Sequence, residues 1–248
     1  MRAKRAWPTD QKVRSEGTEP RVWTYRVATS SMVQVPRDPE PGEAFSLPPY
    51  VTARLRAERK KSGMSLRALA KAAEVSPSLI SQIETGKVNP SVGTLVALAT
   101  ALSIPLDELF SDDGETEADN SQAATFARSG PGSGQSPILK PRDRPSVDLA
   151  GGVRWERLTP TSDSKVTFLY VTYGVGGSSS PPDALMQHEG REFGLVLEGR
   201  LGAQIGTESY DLGPGDSIVF ECSRPHRFWT IGDAPAVVVW TVVAPATS

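Results

Sequence analysis

The spacing of apolar residues changes once along this chain, and that change constrains the fold more than any other feature. Within residues 50–110 the apolar residues recur at the period of helices packed on one face. Within residues 138–248, short runs such as KVTFLYVTYG and AVVVWTVV alternate or are β-branched, with Gly and Pro between them. Residues 111–137 are rich in Asp, Glu, Ser and Gly, which is typical of a flexible linker. The pattern predicts an α+β multi-domain chain, with an all-α domain followed by an all-β barrel or sandwich.

The first segment, residues 1–49, is rich in Pro, Arg, Glu and Ser and has few apolar clusters, so we expect a disordered extension. Met1 and Met32 both fit as the true start. The early basic residues precede no apolar segment, which argues against a secretory signal. The single cysteine, Cys222, excludes an intramolecular disulfide and suits a reducing compartment. No apolar run approaches the roughly 18 residues of a membrane span, so we expect a cytoplasmic protein.

The net charge of −2 hides a division between the parts of the chain. Residues 50–110 carry a net charge of +3, residues 111–127 carry −5, and residues 138–248 carry −3. A mildly basic helical part tethered to an acidic strand-rich part is expected if only the helical part meets phosphates. Ordinary scatter of charge is the alternative explanation.

Capping and turn residues divide residues 50–110 into five predicted helices. The predicted boundaries are Gly63 after the first helix, Ser65 before the second, Glu74 near its end, Ser76 before the third, Ser91 before the fourth, and Pro105 before the fifth. The second and third helices, joined by a short turn, form a predicted helix-turn-helix.

The third predicted helix is short and carries polar residues on its outward positions, while Ile80 and Ile83 face inward. These outward residues are Ser76, Ser78, Ser81 and Gln82. The N-terminal half of such a helix can enter a major groove, where Gln binds adenine edges and Ser serves either base. The exposed face has no Arg, which indicates modest base readout supported by DNA shape. A helical bundle used only for dimerisation is the alternative.

The stretch SLRALAKAAEVSPSLISQIETGKVNPSVGTLVALATAL, and ISQIETGKVNPS within it, resembles the phage-repressor-like (XRE) family of DNA-binding domains. The resemblance covers roughly residues 50–110 and implies that the partner is a double-stranded DNA operator. It also implies that Ser76, Pro77, Ser78 and Gln82 meet bases and that Lys87 meets phosphate.

The two histidines of the chain both lie in the strand-rich part. His188 opens HEGREFGLVLEGRL, in which Glu192 and Gly199 follow, and His226 lies in YDLGPGDSIVFECSRPHRFW after a tight turn. These segments resemble the two motifs of the cupin superfamily over about residues 138–245. The resemblance implies a C-terminal all-β cupin (jelly-roll) barrel, which we place at residues 138–248.

This sequence departs from the usual cupin motifs at two positions. Met186 occupies the place of the first histidine, and Thr230 the place where Asn is common. The resemblance implies His188, Glu192 and His226 as metal ligands. Two imidazoles and one carboxylate suit a divalent Fe, Mn, Ni or Zn ion and leave positions for water or a small molecule. A thioether is a poor ligand for such an ion, so Met186 is interpreted as packing. Alternatively, the histidines only form hydrogen bonds within a pocket.

The order of the two parts resembles a large group of bacterial regulators. That resemblance implies a sequence-specific DNA-binding transcription regulator, with no catalytic residues, whose cupin domain binds a small-molecule effector. A homodimer is expected, because two recognition helices on a two-fold axis read a palindrome better than one. Hydroxypropylphosphonate epoxidases also resemble this layout, with a two-His-one-Glu iron site, so a metalloenzyme is the runner-up. A purely structural dimerisation module is the third possibility.

Overall fold

The computed structural model describes residues 47–110 and 136–245 of the chain. The predicted N-terminal extension before Leu47 and nearly all of the predicted linker therefore lie outside the described residues. We call residues 47–110 the helical domain and residues 136–245 the sheet domain. Both belong to one compact unit, Ala44–Ser248. Among the described residues, no helix has the length and apolar character needed to cross a membrane.

The helical domain contains four α-helices and a terminal 3₁₀ helix. These are α1 (Pro49–Lys61), α2 (Leu66–Ala72), α3 (Pro77–Glu84), α4 (Val92–Leu102) and the 3₁₀ helix Leu106–Phe110. Serine side chains cap three of them, and each cap stabilises its helix by about 1 kcal/mol. The hydroxyl oxygens accept from backbone N–H groups at 3.1 Å: Ser65 from Ala68, Ser76 from Leu79, and Ser91 from Thr94. The predicted caps at Ser65 and Ser76 and the predicted start after Ser91 are confirmed.

The end of α2 agrees with the sequence expectation, and the fifth helix differs in type. α2 ends at Ala72, close to the predicted end near Glu74, where Glu74 takes a left-handed conformation (φ 55) that turns the chain toward α3. The fifth helix is a 3₁₀ helix of five residues after Pro105. So short a segment closes its turn with an i to i+3 bond, here from the Glu108 N–H to the Pro105 carbonyl at 3.0 Å.

The sheet domain contains nine antiparallel-paired strands that follow a short 3₁₀ helix, Pro141–Asp143. They are β1 (Ser146–Leu149), β2 (Val153–Arg157), β3 (Val166–Tyr173), β4 (Arg191–Glu198), β5 (Leu201–Ile205), β6 (Glu208–Leu212), β7 (Ser217–Glu221), β8 (His226–Thr230) and β9 (Ala236–Val243). One sheet has the order β1-β2-β3-β9-β4-β7 and the other β6-β5-β8. The named strands thus form two facing sheets that do not close into one barrel. This arrangement is compatible with a cupin fold.

The two sheets share an apolar core in which aromatic rings pack across the gap. The Phe228 ring of β8 lies 4.5 Å from the Trp240 ring of β9, measured between centroids. Gly194 on β4 leaves room for Trp240, since a Cβ there would come within 2.5 Å of the indole. Gly199 in the turn after β4 has φ 70, and a Cβ there would collide with the Pro235 carbonyl oxygen. This tight approach explains why the cupin-like motif needs glycine at that position.

The start of α4 lies directly against the sheet domain. The Gly93 N–H donates to the Ser179 carbonyl at 3.1 Å, and the Ala150 N–H donates to the Pro90 carbonyl at 2.9 Å. The Asn89 side-chain amide donates to the Asp148 carbonyl at 3.1 Å. These bonds anchor one end of the helical domain beside the interior of the sheets.

A second contact joins the 3₁₀ helix Leu106–Phe110 to the sheet domain. Asp107 is fully buried, and one carboxylate oxygen accepts a hydrogen bond from the Asp163 N–H at 2.7 Å. The same oxygen lies 4.0 Å from a guanidinium nitrogen of buried Arg157. Burial raises the pKa of Asp107 to about 6, although the Asp163 N–H and Arg157 both oppose the rise.

Candidate DNA-binding helix and metal centre

Helix α3 is fixed by apolar residues on one face and leaves its polar face in solvent. Ile80 and Ile83 are buried at 1% and 0% exposure. Burying a side chain of this size stabilises the fold by about 1.5–3 kcal/mol, which holds the helix in place. The exposed positions include all five residues predicted to face bases, namely Ser76, Pro77, Ser78, Ser81 and Gln82. The local geometry can therefore deliver these side chains to a groove.

Lys87 lies in the turn that follows α3. Gly86 takes a left-handed conformation (φ 68), and the Lys87 N–H then donates to the Gln82 carbonyl at 2.9 Å. The lysine is exposed at the end of the turn. α2 presents two further exposed cations, Arg67 and Lys71, which the sequence reasoning missed. In a helix-turn-helix the first helix crosses the DNA backbone, and that rule alone could have singled them out.

A partly buried ion pair sets the position of α3 relative to α1. Arg59 Nε lies 2.5 Å from Glu84 Oε1, and Arg59 Nη2 donates to Glu84 Oε2 at 2.8 Å. The side chains are only 12% and 7% exposed. The hydrogen bond to Glu84 is the main cause that raises the pKa of Arg59. Arg59 Nη1 also donates to the Met64 carbonyl at 3.0 Å. This arginine therefore stabilises the fold and is not available to contact a DNA phosphate.

The structure brings His188, Glu192 and His226 together inside the sheet domain. One ligand atom from each lies within 4.8 Å of the others. His188 precedes β4, Glu192 is its second residue, and His226 begins β8 on the opposite sheet. His188 Nε2 is 3.3 Å from Glu192 Oε1. The pairing of Glu192 with Phe220 and of His226 with Ile205 fixes the direction of both side chains.

Backbone carbonyls orient both imidazoles toward a common centre. His188 Nδ1 lies 2.9 Å from the Glu189 carbonyl oxygen, and His226 Nδ1 lies 2.8 Å from the Arg224 carbonyl oxygen. A carbonyl can only accept, so each Nδ1 carries a proton. This leaves a lone pair on the neutral His226 Nε2, while His188 Nε2 faces the Glu192 carboxylate. His226 Nε2 and Glu192 Oε2 are buried and have no hydrogen-bond partner among the described residues. Orphaned buried acceptors that converge in this way are what a divalent cation satisfies, so the donor set fits a metal.

The titration of the two histidines differs because of their surroundings. Burial lowers the pKa of His226 and outweighs the charge of Glu192, which keeps this imidazole neutral as a metal ligand must be. Burial also lowers the pKa of His188, but the hydrogen bond and charge of Glu192 outweigh it and the net shift is upward. Cys222 is fully buried, and burial strongly raises the pKa of its thiol, which makes it inert.

A small cavity of about 40 Å³ opens beside the triad and is lined mainly by apolar residues. Trp155, Tyr173 and Trp240 line it from the strands, as inward alternation allows. Met186 also lines it, in agreement with its interpretation as packing, and its N–H and carbonyl pair with those of His226 at 2.8 Å each. Val92 and Val96 of α4 form part of the wall. Sequence reasoning did not find this contribution from the helical domain.

Comparisons with known proteins agree with this architecture. Residues 55–109 match the Helix-turn-helix family HTH_3, and residues 169–242 match the Cupin domain family. The HTH-type transcriptional regulator PuuR of Escherichia coli K12 is 28% identical over 177 residues, which is 71% of this chain and 84% of PuuR. The transcriptional regulator ClgR of Mycobacterium tuberculosis H37Rv is 36% identical over 80 residues, which is 32% of this chain and 71% of ClgR.

Among solved structures, an HTH_3 family transcriptional regulator from Vibrio cholerae has a TM-score of 0.56 at 23% identity and supports the fold. The match covers 79% of this chain and 96% of that one. Hydroxypropylphosphonic acid epoxidase from S. wedmorenis matches with a TM-score of 0.36 at 20% identity, over 80% of this chain and 100% of that one. A structural similarity this low does not support an epoxidase activity.

Proposed function

The chain belongs to the helix-turn-helix (XRE-type) family of transcriptional regulators and carries a C-terminal cupin domain, and we propose a separate role for each of its two domains. The helical domain binds an operator, the sheet domain binds a small effector, and the segment 111–137 links them. The main support for DNA binding is the polar face of α3. This face is exposed, while Ile80 and Ile83 anchor the opposite face in the core. We place the protein in the cytoplasm, where its operator would be.

For DNA recognition we assign base contacts to the exposed face of α3. Gln82 can bond adenine, and Ser76, Ser78 and Ser81 can serve either base, while Pro77 packs at the groove edge. Lys87 contacts phosphate in this proposal, and Arg67 and Lys71 of α2 add further phosphate contacts. The absence of an exposed Arg on α3 favours modest base readout supported by DNA shape.

We further propose that the protein acts as a homodimer formed through the six-stranded sheet. The outward faces of β4 and β7 expose neighbouring apolar side chains: Phe193 (39%), Leu195 (41%), Leu197 (39%) and Val219 (47%). Phe193 and Val219 are direct cross-strand partners, so the surface is continuous. A continuous apolar surface favours association, and a second copy would place two α3 helices about a two-fold axis.

For the effector half, we assign a divalent metal to His188, Glu192 and His226. The fixed tautomers and the orphaned His226 Nε2 and Glu192 Oε2 support this assignment. When bound, the ion supplies a positive charge and open coordination positions at one end of the cavity. An effector held there alters DNA affinity only through its different affinity for two arrangements of the protein.

The test is a selection of DNA sequences bound by the full chain, with and without added Zn²⁺. We expect a palindromic operator. Gln82→Ala should weaken binding to that operator by about 1–3 kcal/mol and leave binding to random DNA nearly unchanged. Lys87→Ala is the matched control and should weaken binding to both DNAs and reduce the salt dependence. Equal losses for Gln82→Ala on operator and random DNA would remove Gln82 from base readout.

A further inference from the structure

The cavity beside the metal triad has walls from both domains. Val92 and Val96 of α4 and Leu106 of the 3₁₀ helix form one wall, and strand residues form the others. Val92 and Val96 are four positions apart and therefore share one face of α4. The DNA-binding domain thus contributes directly to the chamber in which the effector would bind.

The other face of α4 belongs to the core of the helical domain. Leu95 and Leu98 are each 1% exposed, and Leu102 is 6% exposed. These side chains pack in the core that α4 shares with α1 and α2, and α3 packs on α1 and α2 in turn, so α4 cannot leave its domain without unfolding it. Any displacement of the helical wall of the cavity therefore moves the helical domain, including α3, as one body.

The cavity is too small in this arrangement to enclose an aromatic carboxylate. Its volume of about 40 Å³ is well below the roughly 150 Å³ of an apolar cavity that holds benzene. A larger ligand therefore needs one wall to move. The strand walls are held by continuous ladders, as between β3 and β9, where all eight residues of each strand are paired. The helical wall is held by the hydrogen bonds of Gly93, Asn89 and Ala150 and by the contact of Asp107 with Asp163 and Arg157. These separate contacts are fewer than the paired residues of a strand ladder, so the helical wall is the easier one to move.

The lining of the cavity indicates the chemistry of its ligand. Glu192 is the one acidic residue of the described lining, which contains neither Lys nor Arg. A divalent ion bound to a single carboxylate keeps a net positive charge and therefore favours an anionic group as an additional ligand. Beyond the triad, the wall is aromatic and aliphatic, with Trp155, Tyr173 and Trp240 on the strand side. The expected ligand has a carboxylate at one end and an apolar body.

We propose that the cavity is an effector site shared by the two domains, in which a small carboxylate with an apolar body binds only when α4 moves away from the strands. The inference rests on the proposed effector-responsive regulator and specifies how its effector acts. Since α3 moves with α4, binding changes where the recognition helices lie in a dimer and so alters operator affinity. By linkage, operator binding changes effector affinity by the same factor.

A reversible disulfide between α4 and the sheet domain tests the proposal. A Cβ at Gly93 would lie 3.4 Å from the Ser180 Cβ, close to the separation of about 3.5–4.5 Å found in disulfides. The Ser180 hydroxyl has no hydrogen-bond partner among the described residues, so Ser180→Cys removes no described bond. Cys222 is the only native cysteine and is buried, which leaves the new pair alone to oxidise. The Gly93→Cys/Ser180→Cys chain is compared oxidised and reduced, with Ser180→Cys alone as control.

The probe is benzoate, titrated calorimetrically into the zinc-loaded full chain. We expect the reduced double variant and the control to bind benzoate, and the oxidised double variant to bind it at least about tenfold more weakly. Benzoate should also slow closure of the disulfide, because it holds α4 away from Ser180. Equal affinity in the oxidised and reduced forms would overturn the proposal, as would absence of benzoate binding to the reduced form.

Two comparisons separate this inference from the proposed function. Stronger binding of benzylamine than of benzoate would overturn the carboxylate assignment. Selection of an operator by the reduced double variant tests the regulator function on its own. A preserved operator with unaltered benzoate affinity in the oxidised form would refute the shared site and leave the regulator intact.

Discussion

Removal of Arg59 should lower the free energy of unfolding of the helical domain by more than removal of an ordinary surface arginine would. Arg59→Ala leaves the carboxylate of Glu84, whose side chain is 7% exposed, without its bidentate partner. Removing one partner of a fully buried ion pair costs about 3–5 kcal/mol, because the remaining charge stays desolvated, and a partly buried pair such as this one costs less. The Met64 carbonyl loses a hydrogen bond as well. We expect the free energy of unfolding to fall by about 2 kcal/mol, a substantial part of the roughly 5–15 kcal/mol of an ordinary domain.

The matched variant removes both charges. Arg59→Met with Glu84→Gln keeps the aliphatic volume and leaves no buried ion, so it should be more stable than Arg59→Ala. Urea denaturation of the full chain, followed by circular dichroism of the helices, measures each variant. The double variant, compared with the single variants Arg59→Met and Glu84→Gln, gives a coupling energy that should exceed about 1 kcal/mol. A loss below about 1 kcal/mol for Arg59→Ala, or simple additivity of the single changes, would show that the pair behaves as an ordinary solvated surface pair.

Three further predictions concern the sheet domain and its contacts. Protein purified without chelator should hold about one divalent ion per chain, and His188→Ala should lower that content severalfold in elemental analysis, because three ligands become two; equal content in both would leave the histidines as hydrogen-bonding groups. Gly194→Ala should destabilise the chain by about 1–3 kcal/mol in a urea titration, since its methyl group meets the Trp240 indole; an unchanged midpoint would show that the indole moves freely. Asp107 has a pKa raised from 3.8 to about 6, so its contribution to the free energy of unfolding should be greatest below 3.8 and be lost as pH rises through about 6. The stability difference between wild type and Asp107→Asn should follow that window, and a difference independent of pH would contradict the shift.

Local features of the helical domain were predictable because their causes are local. A serine followed by a helical pattern provides its own cap, which is why Ser65 and Ser76 could be assigned from the sequence. The inward positions Ile80 and Ile83 follow from helical period alone. The left-handed Glu74 was not predicted, since glycine and asparagine are the usual residues there and the sequence carries neither.

The metal ligands were proposed from a motif whose geometry the sequence alone cannot show. His188 and His226 are 38 positions apart in the sequence and meet because β4 and β8 lie in facing sheets. The carbonyls that fix their tautomers belong to Glu189 and Arg224, whose side chains give no hint of that role. The Arg59–Glu84 pair was missed for a similar reason, because charged residues at such spacing are usually solvated.

The uncharged sequence of α4 has a consequence for the exchange of domains between regulators. VGTLVALATAL contains no charged residue, because one side of the helix lies in the helical core and the other side meets the sheets. A chimera that joins this helical domain to an unrelated sensor would leave Val92 and Val96 in water. The helical domain is therefore fitted to its own sheet domain, and transplanting it would require replacing those two valines with polar residues.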